Sequence, residues 1–450
     1  MNTLRTILVI GSGGREQAIA FKLAESQEVG SVYICPDPMT PFASEKIRGL
    51  NLNPNHFDEL SQFTIQKNID LVVVGPEVPL VNGVVDFLEN KGVPVLGPSK
   101  NGAKLEGSKH FSKQLMKDFK IPTAAFKNAS SYEEGVQYLN EIDKMDTNLG
   151  IVIKADKLAA GKGVFLCDSK NEAEDLLYKI MKDDSFVIKD DKVVIEEKLF
   201  GKEISAFALC DGESFLTLGY ARDYKRLEDY DKGPNTGGMG GFSHEGLVDD
   251  ELREKIDEKV FSNTLKSLKK LGVHYKGILF AGLMIGPDGG INVLEFNVRM
   301  GDPEAQILLP LVKEDLYPLF KAAADGELAD LIKKRPLPLR SKVHMKEGSS
   351  VHVVMVSEGY PLLEKGKKMK LDQFVKMPQL DQGPDSLTHY FLSGVKKEKQ
   401  GKRLLNKSGR VLGVTGLGIS LKEARDRAYE EVHLTHFDGA HFRTDIALNL

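Results

Sequence analysis

The stretch TILVIGSGGREQAIAFKLA (residues 6–24) decides the fold: an aliphatic, β-branched run enters a glycine turn, and a helical pattern begins at Arg15. The same beat returns along the first hundred residues. Ser31–Cys35, Ile69–Val74 and Val93–Gly97 read as strands ended by Gly or Pro; Arg15–Ala24, Phe57–Lys67 and Leu80–Lys91 read as helices. Strands separated by helices in this way build parallel βαβ units and a doubly wound sheet. Ligands of such sheets gather beyond the carboxyl ends of the strands, here at Gly11–Glu16 and Gly75–Leu80. A dinucleotide site is not implied, because Glu16 replaces the third glycine of GxGxxG and Cys35-Pro36 stand where an acidic residue would close the second strand. What remains is a glycine turn feeding a helix amino terminus, whose N–H groups suit an anion such as phosphate.

The whole chain sets the remaining bounds. Its 450 residues suffice for two to four domains, and 41% hydrophobic with 28% charged residues excludes disorder or coiled coil as a description of the whole. The balance of 61 basic and 65 acidic residues leaves a net charge of −4, which argues against a nucleic-acid scaffold or a membrane-surface protein. The longest apolar runs, such as Ile7–Ile10 and Leu71–Val74, are too short to span a bilayer. The amino terminus has no signal-type core, and Cys35, Cys167 and Cys210 form neither a disulfide framework nor a CxxC site. A cytoplasmic enzyme without nucleic-acid or membrane partners is the expectation.

From about residue 102 the texture changes. A helix-like segment, Lys109–Phe119, precedes hairpin-like pairs: Ile151–Ala155 with Val164–Cys167, then Val193–Glu197 with Ile204–Cys210. Arg222–Gly241 has almost no apolar content and reads as one long loop, of the length that is usually functional or disordered. Gly277–Ile285 and Asn292–Val298 form a hairpin around Pro287–Gly290, and the basic segment Lys333–Lys342 reads as a linker. Beyond it lie strands Val351–Val356 and Val411–Thr415 and an amphipathic helix, Leu421–Val432. The divisions drawn are 1–101, 102–328 and 329–450.

Three motifs carry chemistry. In Lys154–Val164 a lysine leaves a buried strand and a small-residue loop with Lys162 returns, a pattern that admits a polyphosphate and neutralises it. It is not Walker A, lacking the leading glycine and the Ser or Thr after the lysine. In Asn292–Arg299, strand alternation puts Glu295, Asn297 and Arg299 on one face and Leu294, Phe296 and Val298 on the other. A carboxylate and an amide carbonyl two residues apart are hard donors for Mg²⁺, with an arginine beside them for phosphate. Pro234–Gly240 reads equally as a flexible linker or a substrate clamp.

Taken together, GSGGREQA, GPEVPLVNGVVD, LEGSKHFSKQLM, IVIKADKLAAGKGV, VVIEEKLFGKEIS, GPNTGGMG, LEFNVRMGDPEAQ and GRVLGVTGLG resemble the phosphoribosylamine–glycine ligases (glycinamide ribonucleotide synthetases), a family of ATP-grasp ligases of purine biosynthesis. The resemblance spans nearly the whole chain. It implies an α/β protein with an amino-terminal doubly wound substrate-binding domain, a central α+β ATP-grasp domain and a small mixed carboxy-terminal domain. It also implies ATP as co-substrate, Mg²⁺ or Mn²⁺, glycine and 5-phosphoribosylamine as substrates, and a monomer or homodimer.

Residue by residue, the resemblance places Lys109, Lys154 and Gly161, Lys162 and Gly163 on the ATP phosphates. Glu196, Glu197 and Leu199 fall at the adenine hinge and Glu203 on the ribose; Glu295 and Asn297 take the metal. Arg299, Lys154 and Asp302 take catalytic roles. Gly13, Gly14, Arg15, Glu16, Glu77, Lys225, Asn235, Gly237, Gly238, Met239, Asp302 and Glu304 take substrate contacts. Departures from the family pattern lie mostly on the acceptor side. Pro36–Thr40 stands for a GNxGT-like loop, Phe391–Val395 for FHAGT, and Gln17, Lys157 and Tyr224 for His, Gly and His. A related ligase with another acceptor, or a non-catalytic nucleotide-binding protein, are the competing readings; the retained Glu295, Asn297, Lys154 and Arg299 argue against the latter.

Overall fold

The computed structural model describes residues 4–38, 44–143, 150–158, 163–361, 368–378, 383, 385–398 and 403–448. The first strand, β1 (Arg5–Ile10), is buried on both faces, as its unbroken aliphatic run requires. Helix α1 (Gly14–Ala24) follows, then β2 (Val29–Cys35), β3 (Ile47–Gly49), α2 (Phe57–Gln66) and β4 (Leu71–Val74). Two short helices, α3 (Glu77–Asn82) and α4 (Val84–Glu89), precede β5 (Val95–Leu96). The five strands form a parallel sheet in the order β3-β2-β1-β4-β5. The single helix expected over Leu80–Lys91 is broken at Gly83, whose left-handed φ of +93° ends one helix and starts the next.

Helices α5 (Lys104–Gly107) and α6 (Lys109–Asp118) lead to a small sheet. It contains β6 (Phe126–Ala129), β7 (Ile151–Ala155), β8 (Val164–Cys167) and β9 (Val193–Glu197) in the order β6-β9-β7-β8. Helices α7 (Tyr132–Asp143) and α8 (Lys170–Met181) cover one face, enclosing Leu139, Ile153, Leu177 and Ile195. The expected pairing of Val193–Glu197 with Ile204–Cys210 is not made. Strand β9 takes its partners from β6 and β7, whereas β10 (Lys202–Asp211) enters a different sheet, pairing ten residues with β15 (Lys276–Ile285). The short connection between β9 and β10 is therefore a crossing between sheets.

That second sheet runs through the rest of the molecule. It takes in β11 (Phe215–Asp223) and, past the small hairpin of β12 (Arg226–Glu228) and β13 (Lys232–Asn235), β14 (Gly240–His244). Helices α9 (Asp250–Ile256) and α10 (Asn263–Lys270), joined by a π-helical turn, precede β15 and β16 (Ile291–Asn297). Helices α11 (Glu304–Leu308), α12 (Leu316–Asp325) and α13 (Leu328–Lys334) follow. The chain then returns as β17 (Ser349–Ser357), β18 (Phe374–Val375), β19 (Thr388–Leu392), β20 (Val395–Lys397), β21 (Leu404–Asn406), β22 (Arg410–Gly418), α14 (Leu421–Leu434) and β23 (Ala440–His441). The sheet order is β16-β15-β10-β11-β14-β17-β22-β19, with β23 on β17, while β18, β21 and β20 make a separate three-stranded sheet. Strand β14 pairs with β17, so one hydrogen-bonded surface crosses the basic connection near residue 335. That connection begins at the end of helix α13, where Arg335 is gripped by Glu314 at 2.5 and 2.7 Å.

Two sequence expectations change here for physical reasons. Arg222–Gly241 is not a structureless loop: its β12–β13 hairpin is tied down from the chain's other end. Arg443 pairs with Asp231 at 2.8 Å, and the Thr444 amide donates to Asp229 at 2.7 Å. In β16 a bulge at Leu294 interrupts the alternation, because Gly282 faces Glu295 while Leu283 faces Val293. Val293 consequently joins Phe296 and Val298 in the core, and Leu294 does not.

The parallel sheet and the large sheet share their cores. Ile7 and Val9 of β1 lie in one cluster with Phe207 and Leu209 of β10, and Leu8 and Ile10 lie in another with Ala206 and Ala208. Both strands thus feed alternate side chains to the same two interiors. The stacked pair Phe207–Phe280, 4.4 Å between centroids, contributes about 0.5–1.5 kcal/mol beyond its buried area. Among the described residues no helix is long and apolar enough to cross a membrane.

One core residue makes the fold sensitive to acid. His352 on β17 is fully enclosed, its Nδ1 lies 2.8 Å from Thr415 Oγ1, and burial pushes its pKa down to about 3. Below pH 6.5 the unfolded chain takes up a proton that the native state refuses, so stability falls with pH by up to ~1.4 kcal/mol per unit from this group alone. His352→Gln is expected to flatten the acid limb of a urea-denaturation series. Parallel wild-type and variant slopes below pH 6.5 would refute that contribution.

Candidate active site

The site grows from the meeting of α6, β7, β9 and β16. Asp156, just past β7, accepts hydrogen bonds from the Ser108 hydroxyl at 3.0 Å and the His110 amide at 2.8 Å. Ser108 itself caps α6 through the Phe111 amide. This docking ties the start of α6, whose first residue is Lys109, to the end of β7, which carries Lys154. Lys154 Nζ donates to the Leu294 carbonyl at 2.9 Å, at the β16 bulge, and lies 3.0 Å from Glu196 Oε2. The other oxygen of Glu196 lies 3.0 Å from Lys113, which also donates to Thr123 at 2.6 Å. Two enclosed ammonium groups therefore share one enclosed carboxylate. Burial, opposed by Glu196 and aided by Lys154, pushes Lys113 down to about 8.

Glu295, expected as a metal ligand, lies at the focus of several cations. Burial raises its pKa, but Lys225, Lys154, Lys109 and Arg299 outweigh burial and hold it ionised below the usual carboxylate range. Asn297 offers its Oδ1 nearby, at 3.3 Å from Arg299 Nη2. Arg299 bridges three segments: Glu106 of α5 at 2.7 Å, Glu77 of α3 at 3.3 Å, and the Met300 carbonyl at 3.1 Å. Burial works against its charge, yet Glu106 and Glu77 more than restore it, so its pKa is raised. Lys225 pairs with Glu203 at 2.8 Å. Glu304 accepts from Ser205 at 3.1 Å, and burial together with Asp223 pushes its carboxyl up to about 7.

Among the described residues no cluster of three or more His, Cys, Asp or Glu could hold a metal. The ionised Glu295 and the Asn297 amide are hard oxygen donors, and two of them fit a small divalent cation that completes its shell with phosphate and water.

The acceptor side differs more from expectation. Glu16 caps its own helix by accepting the Gly13 amide at 2.7 Å, and its other oxygen takes Arg15 Nε at 2.6 Å. Two of the donors assigned to an incoming anion, the Gly13 amide and Arg15 Nε, are thus already matched by an internal carboxylate, and Arg15 Nη1 also reaches the Met300 carbonyl at 3.3 Å. Asp302 faces this turn: a Cβ on Gly13 would stand 3.8 Å from its Oδ2. Burial raises the Asp302 pKa, but Arg410, Arg15 and a hydrogen bond from Gln306 hold it below the usual range. Gln17 bonds both backbone groups of Leu392, donating to its carbonyl and accepting its amide at 2.9 Å. Two departures from the family pattern therefore touch each other.

Other expected residues divide by what they touch. Asn235 ends β13, opposite Arg226, and Gly237 and Gly238 lie against Arg410 and Pro303. The Met239 side chain is fully buried with Val354 and Val356, and its backbone is engaged as well, the amide donating to the Tyr224 carbonyl at 2.8 Å and the carbonyl accepting the Val354 amide at 3.0 Å. Glu196 faces inward to the lysines, Glu197 accepts the Ala125 amide at 2.8 Å, and the Glu197 and Lys198 amides donate to the Ala125 and Gly150 carbonyls, while Leu199 is half-buried. Gly163 accepts from the Ala155 amide at 2.9 Å; Gly161 and Lys162, like Met39 and Thr40, lie outside the described residues. Sequence reasoning missed Lys113, Glu106, Gln306 and Arg410. All four stand inside the quoted segments, Glu106 and Lys113 in LEGSKHFSKQLM, Gln306 in LEFNVRMGDPEAQ and Arg410 in GRVLGVTGLG; what the sequence did not show is which groups they pair with.

Comparison with known proteins places this arrangement. The biotin carboxylase of Campylobacter jejuni, described as a β-γ-ATP complex, superposes with a TM-score of 0.68 over 99% of this chain and 94% of its own at 12% identity, a likeness of fold alone. The class is that of the ATP-grasp enzymes, as the match of residues 107–305 to an ATP-grasp domain shows. Residues 5–106, 107–305 and 350–449 match the N, ATP-grasp (A) and C domains of phosphoribosylglycinamide synthetase. A phosphoribosylamine–glycine ligase of Caldanaerobacter subterraneus subsp. tengcongensis is 39% identical over 442 residues, covering 98% of this chain and 99% of that protein. Its counterpart in Vibrio cholerae is 36% identical over 440 residues, covering 98% and 97%. The crystal structure of the Thermotoga maritima enzyme of that name aligns with a TM-score of 0.77 at 32% identity, over 98% of this chain and all of the other. The chain belongs to the phosphoribosylglycinamide synthetase family.

The shared carboxylate gives a direct test of the site's electrostatics. Lys113→Met leaves Glu196 with Lys154 alone and removes the donor to Thr123. A loss of about 3–5 kcal/mol in urea denaturation is expected for breaking such a buried pair. A loss under about 1 kcal/mol would show that Glu196 needs only one of its cations.

Proposed function

We propose that this protein ligates glycine to 5-phosphoribosylamine with ATP, forming glycinamide ribonucleotide, ADP and phosphate. The reaction is a step of purine biosynthesis and runs through glycyl phosphate. The observation that carries the reading is the set of cations around ionised Glu295, joined to family membership along nearly the whole chain. Phosphoryl transfer chiefly needs positioning and charge neutralisation, and this site supplies both.

In this reading a glycine carboxylate oxygen attacks the γ-phosphorus and the bond to ADP breaks. The phosphoribosylamine nitrogen then attacks the acyl carbon, and phosphate leaves. Lys109 and Lys154 face the phosphates. The backbone from Glu196 to Leu199 borders the adenine, and Glu203 reaches the ribose. Glu295 and Asn297 would hold Mg²⁺ or Mn²⁺, which neutralises phosphate charge when bound. Arg299 is fixed by Glu77 and Glu106 with one edge toward Asn297, where it steadies the reacting acyl group. Glu304, Asp223 and Lys225 border the glycine. Asp302, charged and facing the Gly13 turn, orients the amine. The three segments 1–101, 102–328 and 329–450 divide this labour as acceptor, nucleotide and closing domains.

A second acceptor is the one alternative with an observation behind it: Glu16 already occupies the Gly13 amide and Arg15. A phosphate-release assay with ATP, Mg²⁺, glycine and fresh phosphoribosylamine, each omitted in turn, separates the two. Full dependence on all four is expected, and turnover with a different amine alone would transfer the reading to that amine. Glu295→Gln and Asn297→Leu are each expected to lower kcat at least about 100-fold without changing the circular dichroism spectrum. A near-normal rate for Glu295→Gln at saturating Mg²⁺ would remove it from the metal site.

A further inference from the structure

Arg410 opens β22, more than a hundred residues beyond the last of the motifs gathered in the active site. Its guanidinium nevertheless reaches into two of them. Nη1 donates to the Gly237 carbonyl at 2.8 Å and to the Asp302 carbonyl at 2.7 Å, and Nη2 meets Asp302 Oδ2 at 3.0 Å. Three oxygens in two loops are held by one planar fork, a geometry that an ammonium cannot reproduce. The other backbone group of Gly237 is also taken from the same region: its amide donates to the Tyr360 hydroxyl at 3.0 Å. Tyr360 in turn lies on Gly409, the residue before Arg410.

The loops so gripped are in direct contact. A Cβ at Gly238 would stand 2.6 Å from Pro303 Cδ, and one at Gly237 would stand 3.2 Å from the Arg410 guanidinium carbon. Gln306 takes the second oxygen of Asp302 at 2.7 Å, so the carboxylate is held on both sides while it faces the Gly13 turn. None of the hydrogen bonds or ion pairs of Arg410 and Tyr360 goes to Lys109, Lys154, Glu295 or Asn297.

We propose that Arg410, seconded by Tyr360, is a positioning residue for the second half of the reaction: it locks the Thr236–Met239 and Asp302–Pro303 loops together so that Asp302 stands where the amine attacks. The inference rests on the ligase reading above. It assigns the last hundred residues a chemical task, the geometry of the acceptor step, and it predicts that the nucleotide half is independent of that task.

The two halves separate in one experiment on the full-length protein. Hydroxylamine traps an acyl phosphate as the hydroxamate, so glycine-dependent hydroxamate formation reports the first half alone. Arg410→Ala is expected to keep hydroxamate formation and Mg–ADP affinity near wild type while kcat/KM for phosphoribosylamine drops about 100-fold, the scale of a misplaced reacting group. Arg410→Lys should remain low, and added guanidinium ion should restore part of the acceptor rate in Arg410→Ala only. Tyr360→Phe should show a smaller loss of the same kind.

A folded Arg410→Ala variant whose acceptor kcat/KM stays within about threefold of wild type would overturn the proposal. So would equal losses in hydroxamate formation, Mg–ADP affinity and melting temperature, the pattern of a merely structural residue. If wild type forms hydroxamate but ignores phosphoribosylamine, the acceptor assignment fails instead, and the comparison is made with the amine it does use.

Discussion

A guanidinium withdrawn from water must find its countercharge at close range, and Arg299 finds it in two carboxylates from different parts of the chain. Glu77 opens a helix of the parallel sheet, Glu106 lies in the helix that leaves that sheet, and Arg299 follows the last strand of the hairpin β15–β16. Glu106 also accepts the Val298 amide, so the strand end and its arginine are fixed by one residue. Because a buried charge left unpaired costs several kcal/mol, these segments are constrained to meet in one arrangement. Glu295 and Asn297, at the end of the strand that Arg299 follows, inherit that placement.

The same principle repeats around the site with a different balance. Lys113 and Lys154 share Glu196, which leaves an excess of positive charge. Asp223 and Glu304 crowd each other on the neighbouring surface, which leaves an excess of carboxylate beside Lys225. Complementary surpluses a few residues apart suit substrates that carry an ammonium group and several phosphates. Arg410 and Asp302 close the third side with a matched pair. Each imbalance is held by hydrogen bonds to backbone or to neighbouring side chains, so the field is in place before any ligand arrives.

Continuity of the large sheet explains how a late segment can govern an early one. Pairing of β14 with β17 carries the ladder across the basic connection, and β22 then presents Arg410 to loops that precede it by more than a hundred residues. The shared cores of β1 and β10 couple the parallel sheet to the same framework. Displacement of either sheet would expose apolar faces from both.

Much of this was legible in the order of residues. Aliphatic runs, glycine stops and helical periodicity announced the parallel βαβ units, because local sterics and face-by-face burial act within a few residues. The signature segments announced the ATP-grasp ligase family. Tertiary structure alone decided the rest. The bulge that turns Val293 inward, the separation of β9 from β10, the enclosure of Met239 and the capture of Gly13 by Glu16 each depend on partners that local pattern does not specify. Glu106 and Arg410 stand in signature segments, yet their partners carry no local mark, since an acidic or basic residue in a short helix or at a strand start is ordinary until the fold brings its counterpart to about 3 Å. Periodicity records which face is buried; which charge is neutralised by which is set only when distant segments pack, because electrostatic pairing in a low-dielectric interior depends on distance in space and not along the chain.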